Sequence, residues 1–143
     1  MMETLYLCQL LIDFGLVILI FMVQLTIYPS FRFYEKENLV RWHQQYTGAI
    51  AMVVAPLMLS QLALAFYMLI VTQQYFIACF HLLLVLATWV STAVQFVPIH
   101  NRIGKNEHRD EDLKHLVQRN WLRVMLWSVI FIVSLVQYVR LHY

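Results

Sequence analysis

The sequence predicts an all-α protein: an integral membrane bundle of four antiparallel helices with both termini on the outer side. Three observations predict it. Of its 143 residues, 62% are hydrophobic and 13% charged, whereas a soluble domain carries about 25% charged and about 45–50% apolar residues. The apolar residues gather into four runs, each long enough at about 1.5 Å per helical residue to cross about 30 Å of hydrocarbon. The basic residues collect in the two long connections between those runs.

The runs are residues 5–28, 46–71, 75–97 and 120–141. No basic stretch precedes the first, its apolar run is too long for a leader and no small-residue cleavage site follows, so it is expected to remain as a helix. The second contains Pro56, whose missing N–H and ring clash predict a bend near residues 53–55. Only Thr72-Gln73-Gln74 separates the second run from the third, which makes those helices antiparallel neighbours. Pro29 and Pro98 are expected to close the first and third helices where they reach the membrane surface. Loops 29–45 and 98–119 hold Arg32, Lys36, Arg41, Arg102, Lys105, Arg109, Lys114 and Arg119, Arg123 opens the fourth run, and Arg140 alone lies at the other end. Positive charge gathers on the cytoplasmic side of multi-pass proteins, so both loops are assigned to the cytoplasm and both termini to the outside of a plasma or inner membrane. No repeat divides residues 1–143, which read as one four-span domain.

The net charge of +2, from 10 basic and 8 acidic residues, does not point to nucleic acid. Cys8 and Cys79 lie in apolar runs without CxxC spacing, so no disulfide framework or zinc site is indicated. A phosphate-cradling glycine loop, a GxSxG elbow and paired intramembrane carboxylates are all missing, which removes nucleotide hydrolysis and the familiar serine and glycosidase chemistries. The expected partners are the lipid bilayer, a lipophilic small molecule, and either a second copy of the chain or a larger membrane complex.

An ionisable group in hydrocarbon costs at least about 2.5–3.5 kcal/mol, so each one inside a span needs a partner or a purpose. Asp13 and His81 are the deep examples, expected at similar depth and therefore able to pair. Tyr6, Asp13 and Gln24 share one stripe of the first span, and His81, Thr88, Thr92 and Gln95 one stripe of the third, so both stripes should face inward. The pair reads either as interhelical glue or as a proton relay or ligand contact.

A denser set falls at the loop-bearing end: Gln24, Tyr28, His43, Tyr46, Gln95, His100, Asn101, Asn120 and Arg123. Arg123, one turn inside a helix, either snorkels to headgroups or binds an anion or carbonyl within the bundle. His43 and His100 are the two residues that could converge on a metal, without the carboxylate at fixed spacing that would strengthen such a site. The sequence names no cofactor. A b-type haem would need two histidines on facing helices, and only His81 lies clearly inside one. Trp42, Trp121 and Tyr46 read as interfacial anchors, His108 and His115 as solvated, and residues 108–116 as a short solvated helix whose charges pair among themselves.

The cytoplasmic-face residues also carry a pattern. Gln24 with Tyr28-Pro29 ends the first helix, Trp42-His43 precedes the second, Val97-Pro98 with Asn101 follows the third, and Asn120 with Arg123 opens the fourth. This resembles the small four-helix membrane family that includes the anthrone oxygenases, most members of which have no assigned activity. The resemblance implies a pocket at one membrane face for a lipophilic, often aromatic or polyketide-like, substrate, oxidised without an evident classical cofactor. It implies that His43, Asn101, Asn120 and Arg123 line that pocket. Asp13, His81 and His100 lie outside the pattern.

The leading expectation is a membrane oxidoreductase, oxygenase-like, acting on a lipophilic small molecule. His43 would accept a proton, and Asn120 and Arg123 would hold a developing oxyanion. Gln24, Tyr28, Tyr46, Gln95 and Asn101 would bind substrate. Two alternatives stand beside it: a non-catalytic subunit or assembly partner of a larger membrane complex, and a small proton-coupled transporter with Asp13 as the titrating carboxylate.

Overall fold

A computed structural model of the chain describes residues 1–141. Four helices, α1 (Met2–Phe33), α2 (Lys36–Val71), α3 (Tyr75–Gly104) and α4 (Asp110–Arg140), are each long and apolar enough to cross a membrane. They pack as a four-membered ring in which α1 and α3 each contact α2 and α4. Leu16, Ile20, Val85, Phe96, Trp127 and Ile130 fill the centre, while Leu11, Ile18, Leu83, Val90, Met125 and Ile132 point outward. An all-α bundle that is apolar outside as well as inside is what a hydrocarbon solvent permits, because a helix satisfies its interior backbone polar groups within itself.

The helices run further than the apolar runs. Most of the expected loops 29–45 and 98–119 is helical, leaving short connections at residues 34–35 and 105–109. Asn106, with φ of 60°, turns the chain after Gly104, a conformation that asparagine tolerates better than most residues. At the start of α4 the Asp112 carboxylate accepts a hydrogen bond from the Arg109 N–H at 3.0 Å, and the Asp112 N–H donates to the Arg109 carbonyl at 2.9 Å. Asp112 also accepts two hydrogen bonds from the Arg102 guanidinium of α3, at 2.5 and 3.3 Å. The charges of residues 108–116 therefore do not pair only among themselves, because one of them ties α4 to α3. His108, expected in solvent, is only 5% exposed, held under the loop beside Leu113, and His115 is half-buried.

Pro29 and Pro98 do not end their helices, contrary to expectation. Each follows one turn of π-helix, Val23–Ile27 in α1 and Thr92–Phe96 in α3. The Tyr28 N–H reaches back to the Val23 carbonyl and the Val97 N–H to the Thr92 carbonyl, five residues instead of four. Proline lacks the donor that the fourth carbonyl behind it would need and its ring crowds that carbonyl; widening the preceding turn by one residue lets the helix continue. Pro56 behaves differently and sits within α2 without a π turn.

Candidate functional site

A cavity of about 380 Å³ lies inside the bundle, lined by residues from all four helices. It falls within the range of about 300–1,000 Å³ typical of small-molecule pockets. From α2 it takes Thr47, Ile50, Ala51, Val54, Ala55 and Met58, the i, i+3, i+4 stripe of a single helical face. Between Tyr46 and Met58 none of these α2 residues is fully buried, so here α2 covers a space instead of packing on side chains. Both π turns contribute: Val23 from α1, and Thr92 and Phe96 from α3. A widened turn aims its side chains differently from a regular one, and here two of them face the same hollow.

The polar end of the cavity carries a chain of titratable groups. The Tyr28 hydroxyl lies 3.1 Å from His100 Nε2, and His100 Nδ1 lies 2.7 Å from His43 Nε2. Tyr28 and His100 line the cavity, and His43 stands behind them, only 3% exposed. The two imidazoles, 5.0 Å apart and nearly parallel, are packed by Phe31 and Tyr28. Two neutral imidazoles make this contact with one proton between them, so the tautomer of one ring dictates that of the other. His43 Nδ1 is buried without a partner, and each histidine spends its facing nitrogen on the other ring. Among the described residues no group of three or more His, Cys, Asp or Glu is gathered as a metal site would need.

Arg123 enters the same end from α4. Its guanidinium carbon lies 4.3 Å from the Phe96 ring centre and 5.0 Å from that of Trp127, both favourable cation–π stackings. It is 7% exposed, so it does not snorkel to the surface. The Tyr28 side chain is its neighbour at this end of the cavity, while its Nε has no partner.

The remaining predicted site residues divide. Tyr46 is buried against Phe31 and lines the cavity, so it is no exposed anchor, whereas Trp42 and Trp121 are 39% and 46% exposed. Asn101 is exposed at the cavity's edge. Asn120 and Gln24 pair with each other, Asn120 Nδ2 donating to Gln24 Oε1 at 2.9 Å and Gln24 Nε2 to the Val117 carbonyl at 3.2 Å; neither lines the cavity. They join α1 to α4 just behind it. Gln95 is half-buried on α3, also outside the lining. Trp89, His100 and Trp127 line the cavity as well, a place not expected for any of them.

Asp13 and His81 do meet. Asp13 Oδ2 lies 3.0 Å from His81 Nε2 and accepts from Ser134 Oγ at 2.5 Å, and Oδ1 accepts from Gln61 Nε2 at 2.6 Å. Gln61 Oε1 in turn accepts from Trp127 Nε1 at 3.4 Å, and Gln9 donates to Ser134 at 3.2 Å. This knot takes one or more residues from every helix and leaves the carboxylate fully satisfied. Tyr6 and Thr72 join α1 to the α2 terminus at 3.0 Å. The cysteines, Cys8 and Cys79, are both free.

Compared with protein-family models, curated proteins and solved structures, the chain matches none.

Proposed function

We propose that this multi-pass membrane protein takes a lipophilic small molecule from the bilayer into the cavity and oxidises it there, with antiparallel helices, both termini outside and the Arg123 end at the cytoplasmic face. The observation that carries the proposal is the joining of a largely apolar cavity to the Tyr28–His100–His43 chain. Apolar walls select an apolar guest, and the chain offers that guest a proton acceptor shielded from water. The resemblance to the anthrone oxygenase family points to the same kind of substrate.

The reaction class is oxidation of an activated methylene by dioxygen. The methylene gives a proton to the Tyr28 oxygen as the Tyr28 proton passes to His100 Nε2 and the His100 Nδ1 proton to His43 Nε2. The positive charge comes to rest on His43, one ring removed from the substrate, and the new carbanion, delocalised onto an oxygen, faces Arg123. Dioxygen adds at carbon to give a peroxide anion, which takes back through His100 and Tyr28 the proton stored on His43 and becomes a hydroperoxide; this loses water and leaves a carbonyl. One dioxygen is consumed, one of its atoms staying on carbon and the other leaving as water. Arg123 stabilises the oxyanion electrostatically. Asn120 supports the site through Gln24 instead of holding the oxygen, and His43 is the terminal proton store instead of the group that touches substrate.

Anthrone, lipophilic and with a methylene between two aromatic rings, is the probe. Purified protein in mild detergent should consume dioxygen with anthrone above the protein-free rate, and Tyr28→Phe should remove that excess. Uptake equal to the protein-free rate, with the protein folded, contradicts the proposal and favours a non-catalytic subunit. The fully satisfied Asp13 carboxylate speaks against a carrier that loads and unloads a proton there.

A further inference from the structure

The charge inventory of the bundle leaves Arg123 without an anion. The acidic residues are Glu3, Asp13, Glu35, Glu37, Glu107, Asp110, Glu111 and Asp112. All but Asp13 lie at or beyond the helix ends, and Asp13 is committed to His81, Ser134 and Gln61. Asp13 is paired with His81 and Asp112 with Arg102. A guanidinium stays protonated in proteins, so a full positive charge, 7% exposed, sits among Phe96, Trp127 and the tyrosines with no negative partner among the described residues.

The hydrogen-bond inventory is lopsided in the same sense. Of the polar lining groups, the Thr47 and Thr92 hydroxyls donate back to carbonyls of their own helices, Trp127 N–H donates to Gln61, and the Tyr28 hydroxyl meets His100; the Tyr46 hydroxyl and the exposed Asn101 amide complete the set. Arg123 Nε–H and Trp89 Nε1–H are buried donors with no acceptor, both on lining residues. Buried donors are almost always paired, and leaving one unpaired is costly, most of all for a charged group. One added molecule that brings an ionised oxygen would answer both deficits.

We infer that the cavity takes its guest as an anion: an oxygen acid on an apolar body, its ionised oxygen on Arg123 and Trp89 and its body among Leu16, Leu19, Val54 and Met58. This rests on the proposed lipophilic ligand and narrows its class to acids bound ionised, a carboxylate or phenolate carried on the same body as the activated methylene, so that neutral anthrone is a weaker-binding probe of the same reaction. Neutral lipophiles of the same shape are discriminated against because they leave the guanidinium uncompensated.

The test is calorimetric titration of the purified protein in uncharged detergent with dodecanoate, dodecan-1-ol and methyl dodecanoate, for wild type and Arg123→Met. Dodecanoate should bind about 10–100-fold more tightly than the other two, the ratio expected of a charge-assisted hydrogen bond, and Arg123→Met should bring the three within a few-fold. Arg123→Lys, which keeps the charge, should retain part of the preference. Equal binding of all three to wild type, or a preference that survives in Arg123→Met, overturns the inference while leaving a lipophilic pocket intact. If none of the three binds, both the inference and the pocket assignment fall.

Discussion

His100 Nδ1 and His43 Nε2 lie 2.7 Å apart, and the same His100 ring offers its other nitrogen to the Tyr28 hydroxyl at 3.1 Å. A single imidazole thus has both edges engaged, one toward the cavity and one away from it. In the proposed reaction a ring so held would pass a proton from edge to edge without turning, and the second ring would keep it away from the substrate.

His43→Gln follows directly. A glutamine can still hydrogen-bond His100 but cannot store a proton, so kcat with anthrone should fall by about 100-fold or more, as for loss of a general base, with KM nearly unchanged. Steady-state dioxygen uptake separates the two constants. An unaltered kcat would remove His43 from the proton path.

Asp13→Asn replaces one acceptor oxygen with an NH2 that must face Gln61 or the Ser134–His81 side, all of which press donors or shared protons on the carboxylate. It should destabilise the bundle by about 1–3 kcal/mol, read from unfolding in mixed micelles, and leave anthrone-dependent dioxygen uptake in the folded fraction. Loss of activity from fully folded Asp13→Asn would instead bring this carboxylate into function.

Arg123→Met should not lower the thermal midpoint of the ligand-free protein. Removing one member of a buried ion pair costs about 3–5 kcal/mol, but a buried charge without a partner is itself a burden. The lost cation–π contacts, about 0.5–2 kcal/mol, oppose the gain. A fall as large as that of a broken ion pair would reveal an anionic partner within the protein.

His108, in the connection before α4, is held below the ordinary histidine value of 6.5 by burial, with the positive charge of Lys36 acting the same way and Asp112 and Asp110 acting against it. The folded form therefore binds fewer protons than the unfolded one as pH drops below about 6.5. Stability from this group is complete above that pH and is lost as pH falls toward the folded-state value. The thermal midpoint should decline from pH 7 to pH 5 more steeply in wild type than in His108→Gln; parallel declines would contradict it.

The four apolar runs announced four helices because only hydrocarbon tolerates such runs, and Asp13 and His81 were expected to meet because neither can be left alone there. Their further partners, Gln61 and Ser134, are uncharged and carried no comparable signal. The helix ends were misplaced because charged residues such as Lys36 and Arg102 end a hydrocarbon span without ending a helix. Least legible were the π turns: Pro29 and Pro98 signalled a break, but whether a helix stops or widens depends on what packs beyond it. Here Phe31, Ile99 and Ile103 are completely or almost completely buried, and their packing keeps both helices going. His100 reaches the hollow from just beyond the π turn of α3, and a one-residue insertion is enough to decide which side chain does so; Asn120, on the regular helix α4, is instead turned to Gln24.

The most direct test of the central claim, that this cavity holds a lipophilic guest by its polar end, is to locate the guest. Crystals of the protein soaked with 12-bromododecanoate should give one bromine anomalous peak among Leu16, Leu19, Val54 and Met58, with carboxylate density at Arg123. Bromine found only on the outward faces of the helices, with the cavity empty of it, would contradict the claim.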